Sequence, residues 1–417
     1  MAFTAFCMER KNTGLRRKCG YEIIREEKNS RTGEREEHGK ENRASQEQTH
    51  KQHISGAVRK KRRGKAMKYN AKIGFIIVLV STLLSLKYGY TELIVPNAEI
   101  HFKDSNFELF IRATINKPTG SLTANDVSRI SILNLESLGI TDLTGIEYFT
   151  DLESLLCDDN QITWLDLSGN LKLEYLYCDG NPLKSINVKK NRALKILSCC
   201  DTLISSLDIS SNQQLEYLYV SLCSLNSLNL KGNPLLLEVF CDNNQLSALD
   251  TSSNPLLTKI YCDYNTIQNI VIAKSSELKA INCSHNQLAE IGTQGLTNLT
   301  FLATGNNLLT ELDLRENPNL ETLSCDNNQL HALDTSHNPL LKELYCSNNE
   351  LTNIDVGKNP LLETLYCDRN QLKSLDIRGN TILKLLICSE NNIAQQSDIL
   401  GLEKNPALRL FFSSQNP

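Results

Sequence analysis

No two cysteines in this chain stand in Cys-x-x-Cys spacing, so zinc frameworks built on such pairs are excluded. There is no EF-hand loop and no glycine-rich nonapeptide repeat, so calcium has no dedicated sequence motif. Histidine is scarce beyond residue 72. His101, His285, His331 and His337 share no spacing that would set one of them as base to a nucleophilic thiol. No run reaches the length of an ordinary membrane-spanning helix, the nearest being 14 mostly apolar residues from Ile73 to Leu86. Positive charge is confined to one end. Residues 1–72 hold 20 Lys/Arg and 9 Asp/Glu, a net of +11, so with -4 for the whole chain the remainder carries -4 - 11 = -15. The remainder therefore has no electrostatic case for nucleic acid or an anionic membrane.

Cysteine itself is not scarce, and its placement organises the chain. Ten of the 14 cysteines fall on one comb of 21-residue steps: Cys157, Cys178, Cys199, Cys241, Cys262, Cys283, Cys325, Cys346, Cys367 and Cys388, with Val220 and Thr304 filling the two gaps. A fixed period of this length with Leu-x-x-Leu-x-Cys-x-x-Asn-x-Leu is the mark of a leucine-rich-repeat solenoid. In Leu362-Glu-Thr-Leu365-Tyr-Cys367, Leu365 and Cys367 alternate as a strand with one face inward. Asn370 stands where the chain must turn, and an inward amide there can bond open backbone groups of its own coil and the next. A second half follows, Leu375-Asp376-Ile377-x-x-Asn380, with its own asparagine column through Asn170, Asn191, Asn212, Asn233, Asn254, Asn317, Asn338, Asn359 and Asn380. The expected fold is an α/β repeat solenoid, right-handed and curved, with a parallel β-sheet on the concave face and a small helical N-terminal cap.

The rest of the chain divides around that body. Residues 1–66 read as a basic, disordered extension or as the product of a start placed too far upstream; Arg59 to Arg63 also has the look of a nuclear-targeting patch. Residues 67–96, from Met67, have the layout of a secretory signal, with an uncleaved anchor over residues 73–90 as the alternative. Residues 97–150 read as the cap and first coil: Ser105 with Glu108 and Thr123 with Asp126 as capping boxes, then Leu133, Leu135, Ile140 and Leu143 facing inward. Residues 151–417 are the cysteine-ladder repeats. The irregular stretch from Asn391 to Asn405, then Leu408, Phe411 and a stop at Pro417, suggests a truncated C-terminus.

The 21-residue unit, with cysteine in place of the usual strand leucine and a Leu-Asp-x-Ser-x-Asn second half, resembles the repeats of internalin-like bacterial surface proteins. The resemblance covers roughly Asn97 to Pro417. It departs at Val220 and Thr304, and again at Val271, Ser275, Gly292 and Leu296. It implies a non-catalytic, exported protein, secreted or at the cell surface, that binds a partner and acts in adhesion.

Three sets of residues invite chemistry. The ladder cysteines read as small buried hydrophobes that stay reduced, with the off-comb Cys200 and Cys223 as the exposed ones. Asp158, Asp179, Asp242, Asp263, Asp326 and Asp368 form one column just after the cysteine, read as a solvated acidic strip rather than a calcium site. The strand positions that should face outward carry Tyr175, Tyr177, Tyr217, Tyr219, Phe240, Tyr261, Phe301, Tyr345 and Tyr366. Solvent-facing rings on a concave sheet point to a contact surface for a protein or glycan at a cell surface. No cofactor or metal is expected, and the protein is expected to be a monomer that meets a membrane only through its N-terminal apolar segment. The alternatives are a structural or calcium-dependent envelope component, or the recognition part of a larger effector.

Overall fold

The computed structural model describes residues 98–413. The basic extension, the signal or anchor segment and the last four residues lie outside them. Among the described residues no helix is long and apolar enough to cross a membrane.

The body is a parallel-strand solenoid. Its main sheet has 14 strands in chain order, from β1 (Ile132–Asn134) and β2 (Ser154–Leu156) to β16 (Leu385–Ile387) and β18 (Arg409–Phe411). Each strand is three residues long or less, so no coil could hold its shape alone. The 21-residue step places identical positions side by side: Leu365 pairs with Leu344 on one side and Leu386 on the other. The middle residue of every strand and the comb residue that follows it point inward. Leu155, Cys157, Leu176, Cys178 and their counterparts are fully buried in one continuous core. Leu135 holds the cysteine place in the first coil, as expected.

The return half of the coil is mostly turn. Among the described residues it forms short ladders as β7 (Ala248–Asp250) with β9 (Asn269–Val271) and β15 (Leu375–Asp376) with β17 (Ile399–Leu400), and a single bridge between Asp334 and Asp355. The final coil carries its insertion here. Arg409–Phe411 still pairs in register with Leu385–Ile387, but the inward positions are Leu410 and Phe412, and Phe411 faces outward at 49% exposure.

The N-terminal cap comprises α1 (Ser105–Thr114) and α2 (Ala124–Val127). Phe107 and Ile111 of α1 are buried against the first coils, with Phe107 stacked on Phe149. The expected box at Ser105 and Glu108 is not the cap. Asp104 is: its Oδ1 accepts the N–H groups of Asn106 and Phe107 at 2.9 and 3.0 Å, and its Oδ2 accepts the N–H of Thr141 at 2.8 Å. One carboxylate thus starts the helix and ties it to the first coil, leaving Glu108 to pair with Arg112. At α2 the expected pairing holds, with Asp126 accepting the Thr123 N–H at 2.7 Å.

Candidate functional site

Three ladders behind the outward face hold it in place. The first is the asparagine after each cysteine. Asn370 Nδ2 donates to Cys346, Cys367 and Asp368 carbonyls at 3.0, 3.2 and 3.2 Å, while its Oδ1 accepts the Leu351 N–H at 3.0 Å. The amide therefore bonds its own coil and the preceding one, not the next. The same set recurs at Asn181, Asn286, Asn328 and Asn349. The second ladder is the other asparagine column, in which Asn338 donates to Leu314 and Asn317 carbonyls at 3.1 and 2.9 Å. The third is in the backbone. Two residues after each comb position the chain enters the left-handed region, at Asp159, Asp201, Leu222, Asn243, Tyr264, His285 and onward to Glu390. Only Gly180 of that column is glycine. Its residue types vary too widely for the sequence to reveal it.

On the outward face the aromatic residues come together as the register requires. Phe240, Tyr261, Asn282, Ala303, Ser324, Tyr345 and Tyr366 are successive neighbours across adjacent strands. Their rings do not all meet solvent. Tyr219 is 1% exposed, and Tyr177 and Tyr345 are also buried. Strands one hydrogen-bond spacing apart bring rings within stacking range, so the rings cover one another. Phe240 and Tyr261 stack in parallel at 4.6 Å, Tyr219 tilts against Phe240 at 5.2 Å, and Tyr345 meets Tyr366 edge-on at 5.0 Å. Tyr175, Tyr217, Phe240, Tyr261, Phe301 and Tyr366 stay half-exposed. They, not the buried three, are the reachable part of the predicted set.

Charge is built into the same surface. The Tyr219 hydroxyl donates to Glu238 at 3.3 Å, and Lys259 closes on Glu238 at 2.9 Å. Lys195 pairs with Glu174 at 2.7 Å and lies 5.9 Å above the Tyr175 ring. Glu238 and Lys259 occupy the column that holds tyrosine at 175 and 217, a signal present in the sequence but masked there by the aromatic pattern. Burial pushes the Tyr261 hydroxyl above its usual pKa, with Asp263 and Glu238 adding to the rise. Burial likewise raises Tyr345, beside Glu343. These phenols are neutral donors, not bases.

The aspartate column is not a solvated strip. Asp158 is 4% exposed and accepts the Asp179 N–H at 2.9 Å. Asp179 accepts the Cys200 N–H and the Ser198 hydroxyl, both at 2.7 Å. Asp242 and Asp368 take hydroxyls from Ser221 and Ser347. These carboxylates pin the strand ends, which is why they are half-buried. Asp326 leans over Gly305, where a Cβ would meet its oxygen at 2.9 Å. Among the described residues no group of three or more His, Cys, Asp or Glu is placed to hold a metal ion.

All twelve described cysteines are free thiols, and the ladder members are buried. Burial leads the rise in pKa at nine of the ten, with Cys283 and Cys388 pushed up to about 12, while at Cys199 the hydrogen bond with Cys223 comes first and burial second. Cys200 is buried as well, at 4% exposure, contrary to its expected surface position: it replaces an aspartate in the strand-end column and is covered there. Cys223 alone is partly exposed.

These features define a leucine-rich-repeat solenoid with a cysteine ladder. Within that class the chain is similar to internalins. It is 36% identical over 70 residues to internalin J of Listeria monocytogenes serotype 4b (strain F2365), a stretch that is 16% of this chain and 8% of that protein. Its structure matches the functional domain of InlJ from Listeria monocytogenes, described as including a cysteine ladder, with a TM-score of 0.67, 28% identity and 76% of each chain covered. It also matches the internalin InlF from Listeria monocytogenes str. 4b F2365 (TM-score 0.59, 24% identity, 78% of this chain and 92% of that one). A further match is the LRIM1/APL1C complex (TM-score 0.56, 25% identity, 65% and 54% covered). No family model matches the chain.

Proposed function

We propose that this is an exported surface protein that binds a protein partner along the outward face of its main sheet and serves in adhesion. The observation that carries the reading is the half-exposed parallel stack of Phe240 and Tyr261, with Tyr219 of the adjacent strand packed against Phe240 and the Glu238–Lys259 pair alongside. Rings fixed by their neighbours lose little freedom on contact, which is what a binding hot spot requires. The likeness to internalin J supports a surface role, and the short basic region followed by residues 73–86 supports export. Non-catalytic interaction fits an array in which the reachable groups are neutral phenols and paired charges.

The test places a photoreactive phenylalanine at position 261, on the face, and at position 361, outside the main sheet's strands. The full chain is then irradiated with candidate surface proteins. Crosslinks should form from 261 and not from 361. The Tyr261→Ala variant should weaken capture by about 2 kcal/mol or more, as loss of a hot-spot ring does. Tyr345→Ala is a fold probe instead, because its ring is buried. Equal crosslinking from both positions would sink the reading.

A further inference from the structure

Two consecutive coils lack the asparagine that clamps every other turn of the comb from Cys157 to Cys388. Thr202 and Cys223 stand in its place. Thr202 keeps one bond, donating from Oγ1 to the Cys199 carbonyl at 2.9 Å. Cys223 reaches the same carbonyl with its thiol at 3.1 Å, the bond that Asn244 makes to Val220 one coil later. The Cys223 sulfur also lies 3.3 Å from Thr202 Oγ1. An off-comb thiol is thus folded inward beside a ladder cysteine where the amide clamps are missing.

We propose that Cys199 and Cys223 are a thiol–disulfide exchange site, which takes a low-molecular-weight disulfide and closes to an intrachain Cys199–Cys223 bridge. Cys223 is the attacking group because it is the partly exposed member of the pair. Contact with the Cys199 thiol is the largest cause that lowers the Cys223 pKa, and Thr202 lowers it further against the cost of burial. The same contact, followed by burial, raises Cys199, which therefore holds the proton. With oxidised glutathione the Cys223 thiolate attacks one sulfur and expels a glutathione thiolate. The Cys199 sulfur then attacks Cys223 in the mixed disulfide and expels the second. Two protein thiols become one disulfide, one oxidised glutathione becomes two thiols, and both protons end on those thiols. The bridge would supply covalently the tie between coils that asparagine supplies elsewhere.

The folded full chain is incubated with oxidised glutathione, free thiols are blocked with maleimide, and the protein is cleaved after glutamate. Cleavage after Glu174, Glu216 and Glu238 puts Cys199 and Cys223 on separate peptides. The wild type should yield these as one linked pair, split by reductant, and the two peptides together should carry two fewer free thiols than in the untreated protein. Cys200→Ser and Thr202→Asn should still form the pair. Cys223→Asn restores the clamp residue, so it should fold, and the Cys199 peptide should lose no thiols. The proposal is overturned if the wild type forms no linked pair or retains glutathione on Cys223 or Cys200 as the end product. It is overturned equally if the bridge depends on Cys200 or if the Cys199 peptide of Cys223→Asn still loses thiols.

Discussion

Replacing Asn328 with alanine should cost about 3 kcal/mol, and the structure says where the cost arises. The amide makes four hydrogen bonds: Nδ2 to the carbonyls of Thr304, Cys325 and Asp326 at 3.1, 3.1 and 3.3 Å, and Oδ1 from the Leu309 N–H at 3.0 Å. The three carbonyls each have a second donor: Asn307 for Thr304, Asn349 for Cys325 and the Asn306 N–H for Asp326. Losing one of two bonds there costs little, about 0.5 kcal/mol each. Leu309 N–H is different. It is buried with Asn328, and an orphaned buried donor costs about 1–3 kcal/mol. Asn328→Thr should fall between wild type and alanine, because a hydroxyl can donate as Thr202 does but cannot reach the Leu309 N–H. The assay is native-state hydrogen exchange read at Leu309. About 3 kcal/mol is roughly a hundredfold faster exchange at that amide and its neighbours in the same two coils, with the coils around Tyr175 and Tyr217 unaffected. A loss below about 0.5 kcal/mol, or equal acceleration along the whole solenoid, would refute the idea that the turn amide carries the tie between coils.

Leu222 sits in the left-handed region at φ 56, a conformation that penalises a branched aliphatic residue, so Leu222→Asn should stabilise the protein by about 1 kcal/mol in denaturant titration; no gain would mean the Leu side chain contributes more by packing than its backbone loses. Of the ladder thiols, eight or more should react with a thiol reagent only after unfolding, since all are buried; four or more bridges among them would contradict this. Burial alone would raise the Asp104 pKa, yet the Thr141, Phe107 and Asn106 hydrogen bonds outweigh it and hold the carboxyl below its usual range. A lowered folded pKa means stability that is present above the unfolded value and lost as pH falls through the folded one. Exchange protection in α1 should therefore fall on acidification below the ordinary aspartate range, and Asp104→Asn should remove most of that dependence.

The inward half of this protein was legible in the sequence because a solenoid repeats its core without change. Every coil must present the same inward volume at the same register, so Leu365 and Cys367 predict Leu344 and Cys346. The cap was legible only in part. Asp104 serves α1 and Thr141, 37 residues apart, and a contact of that span leaves no local signal. The left-handed column was illegible as well. Leu222, Tyr264 and Arg369 adopt a conformation their types disfavour while their backbone N–H groups bond carbonyls of the next coil, those of Asp242, Ser284 and Ser389, which local preference does not register. The aromatic residues do share a register across the strands, but the sequence reading made them too open. Alternation says which way a side chain leaves the strand. It does not say that Tyr219 will be covered by Phe240 from the next strand.

That distinction bears on where specificity can reside. The inward columns are nearly uniform, so a substitution there alters stability and little else. The outward columns differ from coil to coil: tyrosine at 175 and 217, glutamate at 238, lysine at 259, alanine at 280 and phenylalanine at 301 share one column. Each change alters what one strand presents, about 4.8 Å from the next, without disturbing the coil behind it. The neighbours are still not independent. Lys259 is fixed by Glu238, Glu238 accepts from Tyr219, and Tyr219 is packed by Phe240, so four adjacent side chains over three strands act as one unit. Removing Glu238 would take away the carboxylate that pairs with Lys259 and the oxygen 3.3 Å from the Tyr219 hydroxyl, both next to the Phe240–Tyr261 stack. Glu238→Gln keeps an acceptor for Tyr219 and loses only the ion pair. If the face binds through its fixed rings, Glu238→Gln should preserve partner capture while Glu238→Ala reduces it. If it binds through charge, the two variants should lose capture equally. The pair of substitutions thus separates a surface held rigid by its polar contacts from one that attracts by them.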